Sequence, residues 1–132
     1  MTLFIDTTDD QSIRLSLVDG KKVYNKIWSV ERRSSETLFP KLSVLLKSKR
    51  VKFTDLEKIV GVLGPGPFSR TRTGIVAANA LAYALDIPLV GIKKNQVPKN
   101  LLSLKKFKGS KQNLKPFYAR PANITKPKRR ST

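Results

Sequence analysis

Apolar positions along the chain change rhythm several times. Leu3, Phe4 and Ile5 form a short apolar run that stops at Asp6. Ser12–Val18 alternates, with Ile13, Leu15 and Leu17 on one side, and Asp19-Gly20 follows. An Asp-Gly pair after an alternating stretch is a hairpin signal, because glycine tolerates the positive φ of a two-residue turn. Lys21–Val30 then reads as a third strand, with Tyr24, Trp28 and Val30 facing one way and Val23 and Ile27 the other. Together these three predict a β-meander.

Beyond the meander the period lengthens. Leu38, Leu42, Leu45 and Leu46 make one apolar stripe at helical spacing. Ser34 or Ser35 can cap its start, and Glu36 then falls in the first turn, where the helix dipole favours an acid. Pro40 is expected near the start, since deeper in the helix it would break the hydrogen-bond ladder. Lys47–Lys58 reads as a basic connection with a short turn at 54–57. Ile59–Leu63 is a continuous apolar run of the kind a strand buried on both faces shows. After Gly64-Pro-Gly-Pro-Phe68, the alanine-rich stretch Thr71–Leu85 predicts a second helix, and Pro88–Ile92 a last buried strand.

The predicted order is β-β-β-α-β-α-β, an antiparallel meander leading into parallel strands separated by helices. That is the order of the ribonuclease H-like unit of actin-like ATPase (ASKHA) proteins: an α/β single domain over residues 1–92. Residues 93–132 are expected to be a basic, largely irregular tail. In it, Leu101, Leu102, Leu104 and Phe107 could dock a short turn across the sheet, Phe117 and Tyr118 are the other anchors, and Lys126–Thr132 is expected to be disordered.

Composition sharpens this division. The chain has 132 residues, a formal net charge of +18, no cysteine and no histidine. Residues 1–92 hold 14 Lys/Arg and all 9 Asp/Glu, whereas residues 93–132 hold 13 Lys/Arg and no acid. Such asymmetry suggests a polyanion such as RNA or the ribosome as partner, or else a solvated lysine tail with no specific partner. Lack of histidine and cysteine removes the commonest general base and the usual zinc ligands, so no metal site is expected. No signal peptide or membrane-length apolar run is visible, so a cytoplasmic protein is expected.

Candidate chemistry is sparse. In phosphate-handling proteins of this fold class, an acid at the end of the first strand helps hold a metal-bound phosphate, beside a glycine-bearing hairpin whose N–H groups approach the phosphates. Here Asp6 is followed by Thr7-Thr8-Asp9-Asp10-Gln11, with no glycine and two further acids. Nuclease chemistry needs several carboxylates around two metals. Asp6 and Glu36 could supply two, but Leu63 and Gly64 stand where a third belongs, and no acid follows Asp86. Both acids read equally as a turn cap and a helix N-terminal residue. Arg70 and Arg72 open the second helix against its dipole, which points to an anionic partner group or to two solvated arginines. Gly74, Ala78 and Ala82 form a small-residue face that admits a closely packed helix or sheet, either within the domain or, against the Leu38, Leu42 and Leu45 stripe, in a partner.

Four stretches carry a family resemblance. Leu3-Phe-Ile-Asp-Thr-Thr8 is similar to an L-x-I-D-T-S opening, and Arg33-Ser-Ser-Glu-Thr-Leu-Phe-Pro40 to an H-S-E-x-L-x-P segment. Gly64-Pro-Gly-Pro-Phe-Ser-Arg-Thr-Arg-Thr-Gly74 resembles a G-P-G-S-F-T-G-L-R-I-G signature, and Ala82–Gly91 the stretch that follows it. These are marks of the TsaB (YeaZ) family of tRNA threonylcarbamoyladenosine biosynthesis, and they cover about residues 2–92. Ser34 stands in place of the family's histidine. Pro67, Arg70, Thr71 and Thr73 replace its Ser, Gly, Leu and Ile. Only forty residues stand where the family has a second domain of similar size, although the stretch 115–121 resembles its closing P-x-Y-x-R segment.

The resemblance implies a non-catalytic scaffold that pairs with a TsaD-like protein, with a TsaE-like ATPase joining the complex. No cofactor is implied for the chain alone, and ATP or ADP only within a partner complex. The implied interface uses the two helices, with Glu36, Leu38, Leu42, Leu45, Arg72, Gly74, Ala78 and Ala82 as contact residues and Gly64, Pro65, Gly66 and Phe68 as the signature loop. The basic tail would add affinity for tRNA. The competing expectations are a basic RNA- or ribosome-binding module, and a degraded homodimeric paralogue without a modification role.

Overall fold

A computed structural model describes residues 1–29 and 34–116, with the backbone alone for 34–37. Strands β1 (Thr2–Asp6), β2 (Ser12–Asp19) and β3 (Lys22–Ser29) form the meander. Helix α1 (Ser34–Ser48), strand β4 (Lys58–Val62), helix α2 (Phe68–Leu85) and strand β5 (Leu89–Ile92) follow. The five strands make one sheet in the order β3-β2-β1-β4-β5. Its meander half is antiparallel, with Leu3 opposite Leu17 and Ile13 opposite Trp28. The half connected through helices is parallel, with Leu3 opposite Ile59 and Val60 opposite Val90. No described helix is long and apolar enough to cross a membrane.

Strand alternation divides the apolar residues between two faces. Leu3, Ile5, Ile13, Leu15, Leu17, Ile59 and Leu89 meet the apolar sides of α1 and α2. Phe4, Val18, Val60, Val62, Val90 and Ile92 point to the other face. β1 and β4 are buried on both sides because both faces are covered, which is why they read as continuous apolar runs.

The second face is covered by the stretch expected to be a tail. Short 3₁₀ turns at Lys94–Gln96 and Leu101–Lys106 carry the chain back across the sheet. Leu101 and Leu104 are buried against Phe4 and the valines of β4 and β5, with Val97, Leu102 and Phe107 packed around them. Lys58 fastens this layer, its Nζ donating to the carbonyls of Leu104 (3.0 Å) and Phe107 (2.8 Å). Burial holds that ammonium below the usual lysine range. Farther on, Ser110 exchanges two backbone hydrogen bonds with Leu89 at the β5 edge. Leu114 then lies over Gly61 and Gly91, where a Cβ on either glycine would crowd it. Through Lys115-Pro116 the segment is therefore built into the domain. Phe117 and Tyr118, the rest of the 115–121 closing segment and the stretch Lys126–Thr132 lie outside the described residues, as do Val30 and Arg33.

Two helix details depart from the sequence pattern. Pro40 lies inside α1 rather than in its first turn, so the carbonyl four residues earlier receives no helical N–H. The leucine stripe, buried along its length, holds the helix despite that loss. Helix α2 begins at Phe68, three residues before the alanine-rich pattern starts, with Pro67 at its N-cap. It stops at Asp86, which takes the left-handed conformation (φ 55°) that Asp tolerates better than most residues.

Candidate functional site

The signature loop joins β4 to α2 and rests on the β1–β2 turn. Gly64 has φ 123°, a conformation that favours glycine, and its carbonyl accepts the Lys94 N–H (2.8 Å). Gly66 sits against the backbone of Thr8, where a Cβ would come within 2.5 Å of the carbonyl oxygen. In the first turn of α2, the Arg70 guanidinium donates to the carbonyls of Asp9 (2.9 Å) and Asp10 (2.8 Å). The buried Thr7 hydroxyl returns a hydrogen bond to the Arg70 carbonyl at 2.7 Å. Arg70 is thus a clamp on the turn, and not an arginine awaiting an anion.

Acids of the turn are used the same way. The Asp6 carboxylate accepts the Thr8 N–H (2.9 Å) and hydroxyl (2.6 Å). Asp9 accepts from the N–H groups of Gln11 and Ser12 and from the Ser12 hydroxyl. Those bonds, led by the Gln11 N–H, hold its carboxyl below the usual range. Among the described residues no three acids gather where they could hold a metal ion. The turn-cap role is therefore what the structure assigns to Asp6. The side chain of Glu36, the other nuclease candidate, lies outside the described residues.

The helices place the predicted interface residues differently from the expectation. Leu38, Leu42 and Leu45 are 2%, 1% and 3% exposed, and Gly74, Ala78 and Ala82 are also buried. They pack inside the domain, although Leu38 reaches the wall of an outer groove. The physical reason is that the sheet face toward the helices is apolar across β1, β2, β4 and β5, and both helices turn their apolar stripes to it. Gly74 meets Thr7, and Ala78 lies against Gly61 of β4.

What the helices leave outside is a second apolar surface. A groove of about 310 Å³ runs between α1 and α2, lined by Leu38, Phe39, Arg72, Thr73, Val76 and Ala77. Phe39 is 43% exposed, Val76 63% and Phe68 53%. The Arg72 guanidinium lies 5.2 Å from the centre of the Phe68 ring, which ties the groove to the signature loop. Of the predicted contact residues, Arg72 alone among those with described side chains is exposed. Phe39 and Val76 were missed by the sequence reading. Their signal was weak but present, since each is apolar and stands off its helix's stripe.

Comparison with known proteins agrees with this fold. A model of the family described as TsaD, tRNA N6-adenosine threonylcarbamoyltransferase, matches residues 28–98. The tRNA threonylcarbamoyladenosine biosynthesis protein TsaB of Bacillus subtilis is 28% identical over 93 residues, covering 70% of this chain and 41% of that protein. The tRNA N6-adenosine threonylcarbamoyltransferase of Clostridioides difficile is 28% identical over 108 residues, covering 70% of this chain and 32% of the enzyme. YeaZ from Pseudomonas aeruginosa superposes with a TM-score of 0.66 at 24% identity, over 70% of this chain and 43% of YeaZ. That likeness shows the fold, an ASKHA-type α/β domain. In each of these comparisons the chain spans less than half of the other protein's length.

Proposed function

The chain belongs to the TsaD–YeaZ family of tRNA threonylcarbamoyladenosine modification, and from that premise we propose that it is a TsaB-like scaffold which docks a TsaD-like partner. The exposed groove between α1 and α2 carries this reading. Burying Phe39 and Val76 would remove exposed apolar surface from water, the usual centre of a protein interface, with Phe68 joined to the groove through Arg72. Arg72, already ordered over an aromatic ring, would supply the polar rim.

A non-catalytic role is favoured over a transferase role by the chemistry of the chain. It has no histidine or cysteine. Its first-strand acid is spent on a turn, and Gly66 closes against Thr8 where phosphates would have to approach. Nucleotide would then be bound by the partner or across the interface, and a TsaE-like ATPase would join the assembly. A homodimer through the same groove is the competing arrangement.

Co-expression with the TsaD-like protein of the same organism, followed by size-exclusion chromatography at moderate and high salt, tests the proposal. The expected result is a 1:1 complex that survives high salt. Val76→Arg should weaken it by roughly thirtyfold, the loss of one central hot spot, with the circular dichroism spectrum unchanged. A complex indifferent to Val76→Arg and Phe39→Arg overturns the groove as the docking face.

A further inference from the structure

We infer that the layer formed by residues 93–116 is a binding surface for the phosphate backbone of folded RNA. This stretch holds eight lysines and no acidic residue. All eight are exposed, while Leu101 and Leu104 of the same stretch are buried in the sheet. The lysines are therefore presented by backbone that the domain holds in place. Four of them, Lys99, Lys105, Lys106 and Lys108, lie in or beside the 3₁₀ turn at Leu101–Lys106, where Lys58 holds the carbonyls of Leu104 and Phe107.

Local acids offset only part of this charge. Lys111 pairs with Asp86 at 2.5 Å, Lys94 interacts electrostatically with Asp9, and Lys105 shares a surface depression with Asp19 and Glu57. A surface of this kind gains affinity by releasing the counterions condensed on a polyanion. Single-stranded bases are a poor fit, because stacking needs aromatic faces. The layer's one aromatic residue, Phe107, is half-buried with the Lys106 ammonium 5.8 Å from its ring centre. A bilayer fits poorly too, since the apolar residues of the layer are turned into the sheet and none is left as a face to insert. That the polyanion is folded RNA follows from the role in tRNA modification proposed above.

Fluorescence anisotropy of the full chain with a tRNA transcript, between about 50 and 200 mM salt, tests this. The variant K99Q/K105Q/K106Q/K108Q should bind at least about tenfold more weakly. The slope of log affinity on log salt should become shallower by about 3–4 for the four lost contacts. The charge-preserving K99R/K105R/K106R/K108R should bind like the wild type. Changing the five basic residues after Pro116 to glutamine should cost less than the four-lysine variant. Unchanged binding in the glutamine variant, loss in the arginine variant, a larger loss from the five distal changes, or equal binding to polyglutamate overturns the inference. Co-elution of the glutamine variant with the TsaD-like partner is measured separately. Loss of RNA binding with that complex intact, or the reverse, tells the two proposals apart.

Discussion

Gly74→Ala should destabilise the domain, although the same change in most helix interiors would stabilise it. Ala is better than Gly inside a helix by about 1 kcal/mol. At Gly74, however, the new methyl would overlap the Thr7 hydroxyl oxygen, lie 2.8 Å from the Thr7 methyl and 3.1 Å from its Cβ. Thr7 is 1% exposed and its hydroxyl is tied to the Arg70 carbonyl at 2.7 Å, so it has nowhere inexpensive to go. Overpacking of this kind costs about 1–3 kcal/mol, and stranding the buried hydroxyl adds about 1–3 kcal/mol. After the propensity gain, a net loss of about 1–5 kcal/mol is expected. For a domain of this size each kcal/mol lowers Tm by roughly 3–4 °C. Urea unfolding followed by circular dichroism would read it as a lower midpoint at unchanged slope. Repeating the substitution in a Thr7→Ala background removes the overlapping oxygen and methyl and should recover at least about 1 kcal/mol of the penalty. A raised midpoint for Gly74→Ala alone, or the same penalty in both backgrounds, would refute the reasoning.

Leu104→Ala should cost about 2–5 kcal/mol in the same unfolding assay, because Leu104 is fully buried on the second face of the sheet. A loss below about 0.5 kcal/mol would mean that the 93–116 layer is not part of the cooperative unit. The Asp86 carboxyl should titrate below the usual carboxylate range, held there by the hydrogen bond and charge of Lys111, and Lys111→Gln should return it upward in a carbon-13 NMR titration. Because that pKa is lowered in the folded chain, the pair's contribution is present at neutral pH and is lost as pH falls through the folded value, and being exposed it should be small.

Much of the fold was legible because local chemistry and tertiary packing agree. The alternation of Ile13, Leu15 and Leu17 and the apolar runs of β4 and β5 each match one arrangement that buries them, whereas the hairpin expected at Asp19-Gly20 turns one residue later, at Gly20-Lys21, with Asp19 paired to Lys22. The signature loop was legible as a corner requiring glycine, and the reason is visible at Gly66, where only a hydrogen fits against Thr8. The candidate interface was less legible. A stripe of small residues and leucines marks a packed face, but periodicity does not say what packs there. The domain's own sheet took that face, and the docking surface proposed here lies instead at Phe39, Val76 and Arg72.

The contrast is sharpest beyond Ile92. Sequence alone determined the order of strands and helices, the family signature and a strongly basic C-terminal third, because these depend on residue type and short spacing. Only the tertiary structure decided that Arg70 clamps the first turn and that Leu101 and Leu104 close the second face of the sheet. Those choices depend on which surfaces remain uncovered once the sheet has formed. An apolar residue with no regular period, far along the chain, carries no local record of the face it will fill.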